Sequence, residues 1–156
     1  MASRSKVPAY QLRRKPPFFR PVPLRTRKDG WSEARQCLFL AELYVTGSVG
    51  CAAKSVGMSR NSAYRIRARD EAGSFARAWD AVLTRPGLGR APGAKVDWRK
   101  VTQKALIARV ETGLVKPVIY RGQVTSIARK PDNSALFRLL RRCGDGLAPL
   151  PDEAAT

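Results

Sequence analysis

The segment that most constrains the fold runs from residue 48 to residue 69, SVGCAAKSVGMSRNSAYRIRAR. Ser48 and Ser59 are favourable N-cap residues, and each precedes a short stretch whose apolar residues have helical spacing. Gly57 lies between the two stretches and can adopt the left-handed conformation that a tight turn requires. Ala53 is small enough for two helices to cross closely. We therefore predict two short helices joined at Gly57, which is the arrangement of a helix-turn-helix motif.

The second of these helices carries the candidate site. Ala63 and Ile66 are predicted to face inward, and the N-terminal side chains of such a helix can enter the major groove of DNA. Arginine can bind guanine and asparagine can bind adenine through paired hydrogen bonds, whereas Arg67 and Arg69 lie farther along, where phosphates are the expected partners. The predicted DNA-binding residues are Ser59, Arg60, Asn61, Tyr64, Arg65, Arg67 and Arg69. The alternative is a basic, solvated helix in an ordinary helical hairpin.

Two further helices are predicted around this pair, giving a DNA-binding domain over residues 31–84. Ser32 can cap the first helix and Gly47 can end it. Its predicted inner stripe is Ala34, Leu38, Ala41 and Val45, widened by Cys37, Leu40 and Tyr44. The last helix covers residues 71–84, and its predicted inner residues are Phe75, Trp79 and Val82.

The charge of the chain indicates a polyanionic partner. The 156 residues include 30 basic and 12 acidic ones, a net charge of +18. Nucleic acid is the first candidate and an anionic membrane surface is the second. The longest strongly apolar stretch, residues 37–45, is interrupted by Glu42, and a membrane-spanning helix needs about 20 apolar residues. No apolar core follows the basic stretch at residues 13–19, so we predict no export signal and a cytoplasmic, nucleoid-associated protein.

Residues 1–30 are predicted to form an unfolded basic arm. They contain nine basic residues, one acidic residue and five prolines, so like charges repel and backbone hydrogen bonds are lost. Tyr10, Phe18 and Phe19 within this arm could stack on bases, or the arm could enter a minor groove. The alternative is a solvated tail that adds only sequence-independent affinity.

Residues 85–97, RPGLGRAPGAKVD, are predicted to be a linker because they contain three glycines and two prolines. Gly87, Gly89 and Gly93 lie near Lys95, which raises the alternative of a phosphate-binding loop. The spacing G-x-x-x-x-G-K-[ST] is absent and no strand precedes the glycines, so nucleotide binding is not expected.

Residues 98–142 are predicted to form a helix–β-hairpin–helix module. The first helix ends at Gly113, the strands cover Val118–Arg121 and Val124–Ala128, and Arg121-Gly122 suits a tight turn. Asp132 or Asn133 caps a last helix with Leu136, Leu139 and Leu140 inward, while Arg138, Arg141 and Arg142 extend the basic surface. The hairpin could contact a second copy of the chain or brace the fold internally, since a lone hairpin is marginal in water. Residues 143–156 are predicted to be a loose acidic tail.

The sequence offers little for catalysis or metal binding. It contains no histidine, and Cys37, Cys51 and Cys143 are widely separated, so we predict no disulfide, metal site or cofactor, and no enzyme activity. Cys37 and Cys51 are expected to be small buried residues, and Cys143 to be more exposed.

Two blocks resemble the small terminase subunits of tailed phages and related alphaproteobacterial helix-turn-helix proteins. The first is AAKSVGMSRNSAYRIRARDEAGSFARAWDAVL (52–83), with an alanine-rich helix, G-x-S, Tyr-Arg and F-A-x-A-W-D. The second lies in 104–142 and contains P-V-x-Y-x-G-x-V, followed by an asparagine-led leucine-rich helix; the matching residues are Pro117, Val118, Tyr120, Gly122, Val124, Asn133, Leu136, Leu139 and Leu140. The blocks cover about half of the chain. The resemblance implies recognition of phage DNA for packaging by a separate, ATP-driven large terminase subunit.

The sequence thus predicts a mainly α protein, with an N-terminal helix-turn-helix bundle followed by a helix–β-hairpin–helix module. It is expected to bind double-stranded DNA, either as a terminase small subunit-like recognition protein or as a chromosomal transcriptional regulator. RNA binding is a weaker alternative, because a groove-reading helix suits B-form DNA better than the deep, narrow groove of RNA.

Overall fold

The computed structural model describes residues 8–25, 27–84, 87 and 98–144. These residues form six α-helices and one antiparallel two-stranded hairpin. The helices are α1 Glu33–Thr46, α2 Val49–Ser55, α3 Arg60–Arg67, α4 Gly73–Leu83, α5 Gln103–Thr112 and α6 Asn133–Gly144. The predicted class, mainly helical with a small hairpin, is confirmed. Except for Gly87, the predicted linker lies outside the described residues, as does the tail beyond residue 144.

The described chain divides into two units, and the boundary differs from the predicted one. The first unit contains α1 to α4 together with the hairpin, and the second contains α5 and α6. We predicted that the hairpin would belong with the helices on either side of it in sequence. It belongs instead with the first unit because Val115 and Ile119 are buried in that unit's core.

The core of the first unit centres on α1 and α4. Phe39 of α1 lies 4.8 Å from Trp79 of α4 between ring centroids, and Phe75 and Val82 of α4 are fully buried. The predicted inner residues of α4 are therefore confirmed.

The inner face predicted for α1 is partly wrong. Cys37, Leu40, Ala41 and Tyr44 are buried as expected, but Ala34 and Leu38 are exposed and Val45 is only half-buried. The helix also buries Gln36, Phe39 and Leu43. Since α2, α4 and the hairpin all contact α1, its buried face is wider than one stripe at helical spacing and is centred differently.

Residues 8–25, the part of the N-terminal segment that the structure describes continuously, are packed on the core, contrary to the prediction of an unfolded arm over residues 1–30. Phe19 is fully buried, and it forms an antiparallel bridge with Val115 through two backbone hydrogen bonds of 2.9 Å. Its ring meets Phe75 edge to face at 5.8 Å. Pro16, Pro21 and Val22 of the same segment are also buried. Phe19 is therefore a core residue and is not available to stack on bases.

Side chains of the helices satisfy backbone groups between the prolines of this segment, which pair with no strand or helix of their own. The buried Gln36 amide accepts a bond from the Val22 N–H (2.8 Å) and donates one to the Val22 carbonyl (3.1 Å). The Arg20 N–H donates to Ser74 Oγ at 2.8 Å. Arg13 donates to the carbonyls of Tyr44 and Val45 at the C-terminal end of α1, where unpaired carbonyls favour a cation. Charge and proline content predicted disorder. The prediction failed because the partners that satisfy this segment lie 14 to 54 residues away in sequence.

The hairpin is longer than predicted and lies along α1. Strand β1 covers Leu114–Tyr120 and strand β2 covers Gln123–Lys130. The tight turn is confirmed, since Arg121 and Gly122 have φ values of 49° and 78°, as a two-residue turn of the primed type requires. Both strands contact α1, so the internal brace, one of the two predicted alternatives, is present.

The second unit is a pair of contacting helices. Thr102 caps α5 and Asp132 caps α6 through side-chain acceptors, and Arg142 donates to the carbonyls of Val101 and Trp98. Leu140 was predicted to face inward but is 56% exposed. Phe137 on the same helix is 63% exposed. Leu136 and Leu139 are half-buried and Ala135 is fully buried, so the buried side of α6 is centred on Ala135 rather than on the leucines. In the described part of the chain, no helix combines the length and apolar character needed to cross a membrane.

Candidate nucleic-acid interface

The connection between α2 and α3 is fixed by a glycine with positive φ. Gly57 has a φ of 75°, its N–H donates to Lys54 O at 3.0 Å, and the Met58 N–H donates to Ala53 O at 2.9 Å. These two bonds form a Schellman motif, which satisfies carbonyls at the end of α2. Ser59 then caps α3 by accepting a bond from the Ser62 N–H at 3.1 Å. The predicted caps and the predicted turn glycine are all in place.

Helix α3 has a small buried face and a broad exposed face. Ala63 and Ile66 are buried as predicted, and Ala52 and Ala53 of α2 are fully buried in the same core. The residues Arg60, Asn61, Tyr64 and Arg65 are all exposed. Positions one, two, five and six of a helix share one side, because one turn takes 3.6 residues. The four residues predicted to contact bases therefore lie side by side.

An aromatic stack supports this exposed face. The Tyr64 ring lies 5.4 Å from the buried ring of Trp79, and the Arg60 guanidinium carbon lies 5.7 Å from the Tyr64 ring centroid. Tyr64 keeps 43% of its surface exposed. Its ring is thus anchored on the core at one side while its remaining surface is open to a ligand. We expect this contact to restrict the rotamers of Tyr64 and, through it, those of Arg60.

The arginines of the predicted site differ in whether an acidic side chain pairs with them. Arg67 Nη1 lies 2.8 Å from Asp80 Oδ1, and its guanidinium carbon is 5.0 Å from the Trp79 ring. Arg69 Nε is 3.8 Å from Glu71 Oε2, and both side chains are more than half exposed. Arg65 forms no ion pair with any described residue. Arg65 therefore offers a free charge, whereas Arg67 is already neutralised by α4.

Two residues that orient α3, Trp31 and Arg35, were not predicted from the sequence. Trp31 is buried, and its Nε1 donates to Ser62 Oγ on α3 at 2.8 Å. Arg35 Nη1 donates to the Gly30 carbonyl at 3.0 Å and lies 3.9 Å from the sulfur of Met58 in the turn. Both side chains connect the start of α1 to the α2–α3 corner. In the sequence, this role of Trp31 is indicated only by its position directly before Ser32, the N-cap of α1.

The cysteines have no part in this surface. Within the described ranges, no group of three or more metal-ligating side chains comes together. Cys37 is buried and Cys143 is exposed as expected, but Cys51 is exposed, because it lies on the outer side of α2. Burial raises the pKa of the Cys37 thiol to about 12, with Glu33 adding to the shift and Arg129 opposing it.

Comparison of the chain with protein-family models, with curated proteins and with solved structures found no match. The resemblance to small terminase subunits therefore depends on the two sequence blocks alone.

Proposed function

We propose that the protein binds double-stranded DNA, with α2 and α3 acting as a helix-turn-helix and α3 lying in the major groove. The observation that supports this best is the exposed face of Arg60, Asn61, Tyr64 and Arg65 beside the buried pair Ala63 and Ile66. Arginine and asparagine have the donor geometry that reads guanine and adenine edges. The net charge of +18 supports a polyanionic partner independently.

We propose that the biological role is terminase small subunit-like recognition of DNA for packaging, because both sequence blocks occur in the family order. This role would make a large terminase subunit a partner. A chromosomal transcriptional regulator is the second candidate, since the same helix-turn-helix chemistry serves promoters. A neighbouring large-terminase gene would favour the first role, and a bound site upstream of a promoter would favour the second.

Selection of bound fragments from a random duplex pool tests the proposal. A groove-reading α3 predicts enrichment of a short shared sequence, because base contacts discriminate by about 1–3 kcal/mol each. Single-stranded RNA should compete poorly with the selected duplex. Enrichment of no sequence, or equal competition by RNA, would contradict specific duplex recognition.

A further inference from the structure

The outer face of the hairpin brings two lysines onto one aromatic ring. Lys116 Nζ lies 4.7 Å and Lys130 Nζ lies 4.4 Å from the ring centroid of Phe18. Because Lys116 pairs with Ala128 and Leu114 pairs with Lys130, both lysines are on the same face of the two strands. The bridge between Phe19 and Val115 holds Phe18 beside them. Three distant parts of the sequence thus form one cationic surface.

The two charges of this surface are uncompensated. Neither lysine forms an ion pair within the described part of the chain. The acidic side chain of Glu33 is paired with Arg129, the neighbour of Lys130 in sequence. The ammonium groups lie 4.7 and 4.4 Å from one ring centroid, so they can be no farther apart than about one Debye length, roughly 8–10 Å, and salt screens them incompletely. They repel each other, and an anion bound between or across them would relieve that repulsion.

We propose that Phe18, Lys116 and Lys130 form a second DNA-contact surface that binds backbone phosphates of the duplex. This inference rests on the proposed function and extends it beyond α3. A lysine ammonium is a compact charge with three donors, which suits phosphate without reading sequence. The two ammonium groups also compete with bases for the Phe18 ring, so phosphate binding is favoured over base stacking. Membrane-binding clusters generally contain four to eight basic residues, more than this face offers.

The test is the double variant Lys116→Gln, Lys130→Gln, which keeps flexible polar side chains, only one atom shorter, and removes both charges. Affinity for random duplex is measured over a series of salt concentrations. Each lost phosphate contact should flatten the log–log slope by about 0.9, so the double variant should flatten it by about 1.8. The preference for a selected site over random duplex should stay unchanged, because phosphate contacts carry no base sequence. Thermal melting confirms that the variant is folded.

Two control variants make the result specific. Lys116→Arg, Lys130→Arg keeps both charges and should retain the parent's slope. Lys100→Gln, Lys104→Gln removes the same charge from exposed positions of the second unit and should change the slope by less than half as much. A slope that is unchanged in the Lys116/Lys130 variant, or equally flattened in the Lys100/Lys104 variant, overturns the proposal.

Amine acylation of the unmodified protein, read by mass spectrometry, gives an independent result. Duplex DNA should protect Lys116 and Lys130 several-fold more than it protects Lys100 and Lys104, and equal protection overturns the proposal. Anionic vesicles or single-stranded RNA that protect these lysines better than duplex does would also overturn it. If the parent binds no duplex, the proposed function fails as well. If the parent binds duplex with the expected slope and only the variant's change is missing, the hairpin proposal fails alone.

Discussion

In the N-terminal segment, neighbouring residues differ in whether they are buried in the core or lie at the surface. Phe18 and Phe19 are neighbours in a stretch of prolines and arginines, yet Phe19 is fully buried and Phe18 lies under two lysines. The difference follows from the alternation of side chains along an extended segment that is bridged to Val115. Charge and proline content predict the average behaviour of such a segment but give no weight to one buried ring.

Because the pKa of the Cys37 thiol is raised in the folded protein, we expect the free energy of unfolding to depend on pH. Its pKa is raised to about 12 from 9.0, so between these values the unfolded chain loses a proton that the folded protein retains. The free energy of unfolding therefore falls as pH rises through this range. The Cys37→Ala variant has no thiol to titrate, so its stability does not change with pH for this reason. Its melting temperature should therefore lie farthest below that of the parent under pH 8, and the difference should shrink above pH 9. A deficit that is constant or grows with pH would contradict the assignment.

At the scale of elements, capping and turn chemistry made the α2–α3 corner predictable. Ser48, Ser59 and Gly57 act through neighbours within five positions, so their roles can be recognised locally. The packing of α1 could not be recognised in the same way. Gln36 is buried because its amide meets the backbone of Val22, 14 residues earlier, and no periodicity in α1 reports that contact.

Two glycines seven residues apart, Gly50 and Gly57, should respond to substitution with opposite signs. Gly57 has a φ of 75° and nothing within 4 Å of an added Cβ, so Gly57→Ala should cost about 1–2 kcal/mol through backbone strain alone. Gly57→Val, with its branched side chain, should cost more. Gly50 lies within α2 and is exposed, so Gly50→Ala should stabilise by about 0.5–1 kcal/mol.

Chemical denaturation of the three glycine variants checks this pair of effects. A stabilising Gly57→Ala would show that the turn does not need positive φ. Gly50→Ala serves as the control, because it adds the same methyl group to the preceding helix.

At the scale of the whole molecule, residues 8–25 belong to the first folded unit. Phe19→Ala should lose about 3–5 kcal/mol of stability, since it empties a fully buried aromatic site. Leu12→Ala is the matched control, because Leu12 is 64% exposed and should lose no more than about 0.5 kcal/mol. Urea unfolding measures both. Equal stability of the two variants would mean that the segment is dispensable for folding.

The same scale separates local predictions from long-range ones. The exposure of Arg60, Asn61, Tyr64 and Arg65 follows from one helix and its caps, whereas their contact with DNA stays a prediction. The assignment of the hairpin to the first unit depends on Val115 and Ile119 reaching a core built mainly by residues 19–82. The surface of Phe18, Lys116 and Lys130 depends on that same assembly. Long-range pairings of this kind have no signature in a single sequence.

Binding of Asn61→Ala to a selected duplex and to random duplex tests the central claim most directly. Asn61 is exposed, so the substitution should change the free energy of unfolding by no more than about 0.5 kcal/mol. If Asn61 pairs with an adenine edge, the variant should lose about 1–3 kcal/mol on the selected site and almost nothing on random duplex. Asn133→Ala, an exposed asparagine of α6, is the control and should bind both duplexes like the parent. Retention of parental affinity for the selected site by Asn61→Ala would contradict recognition through α3.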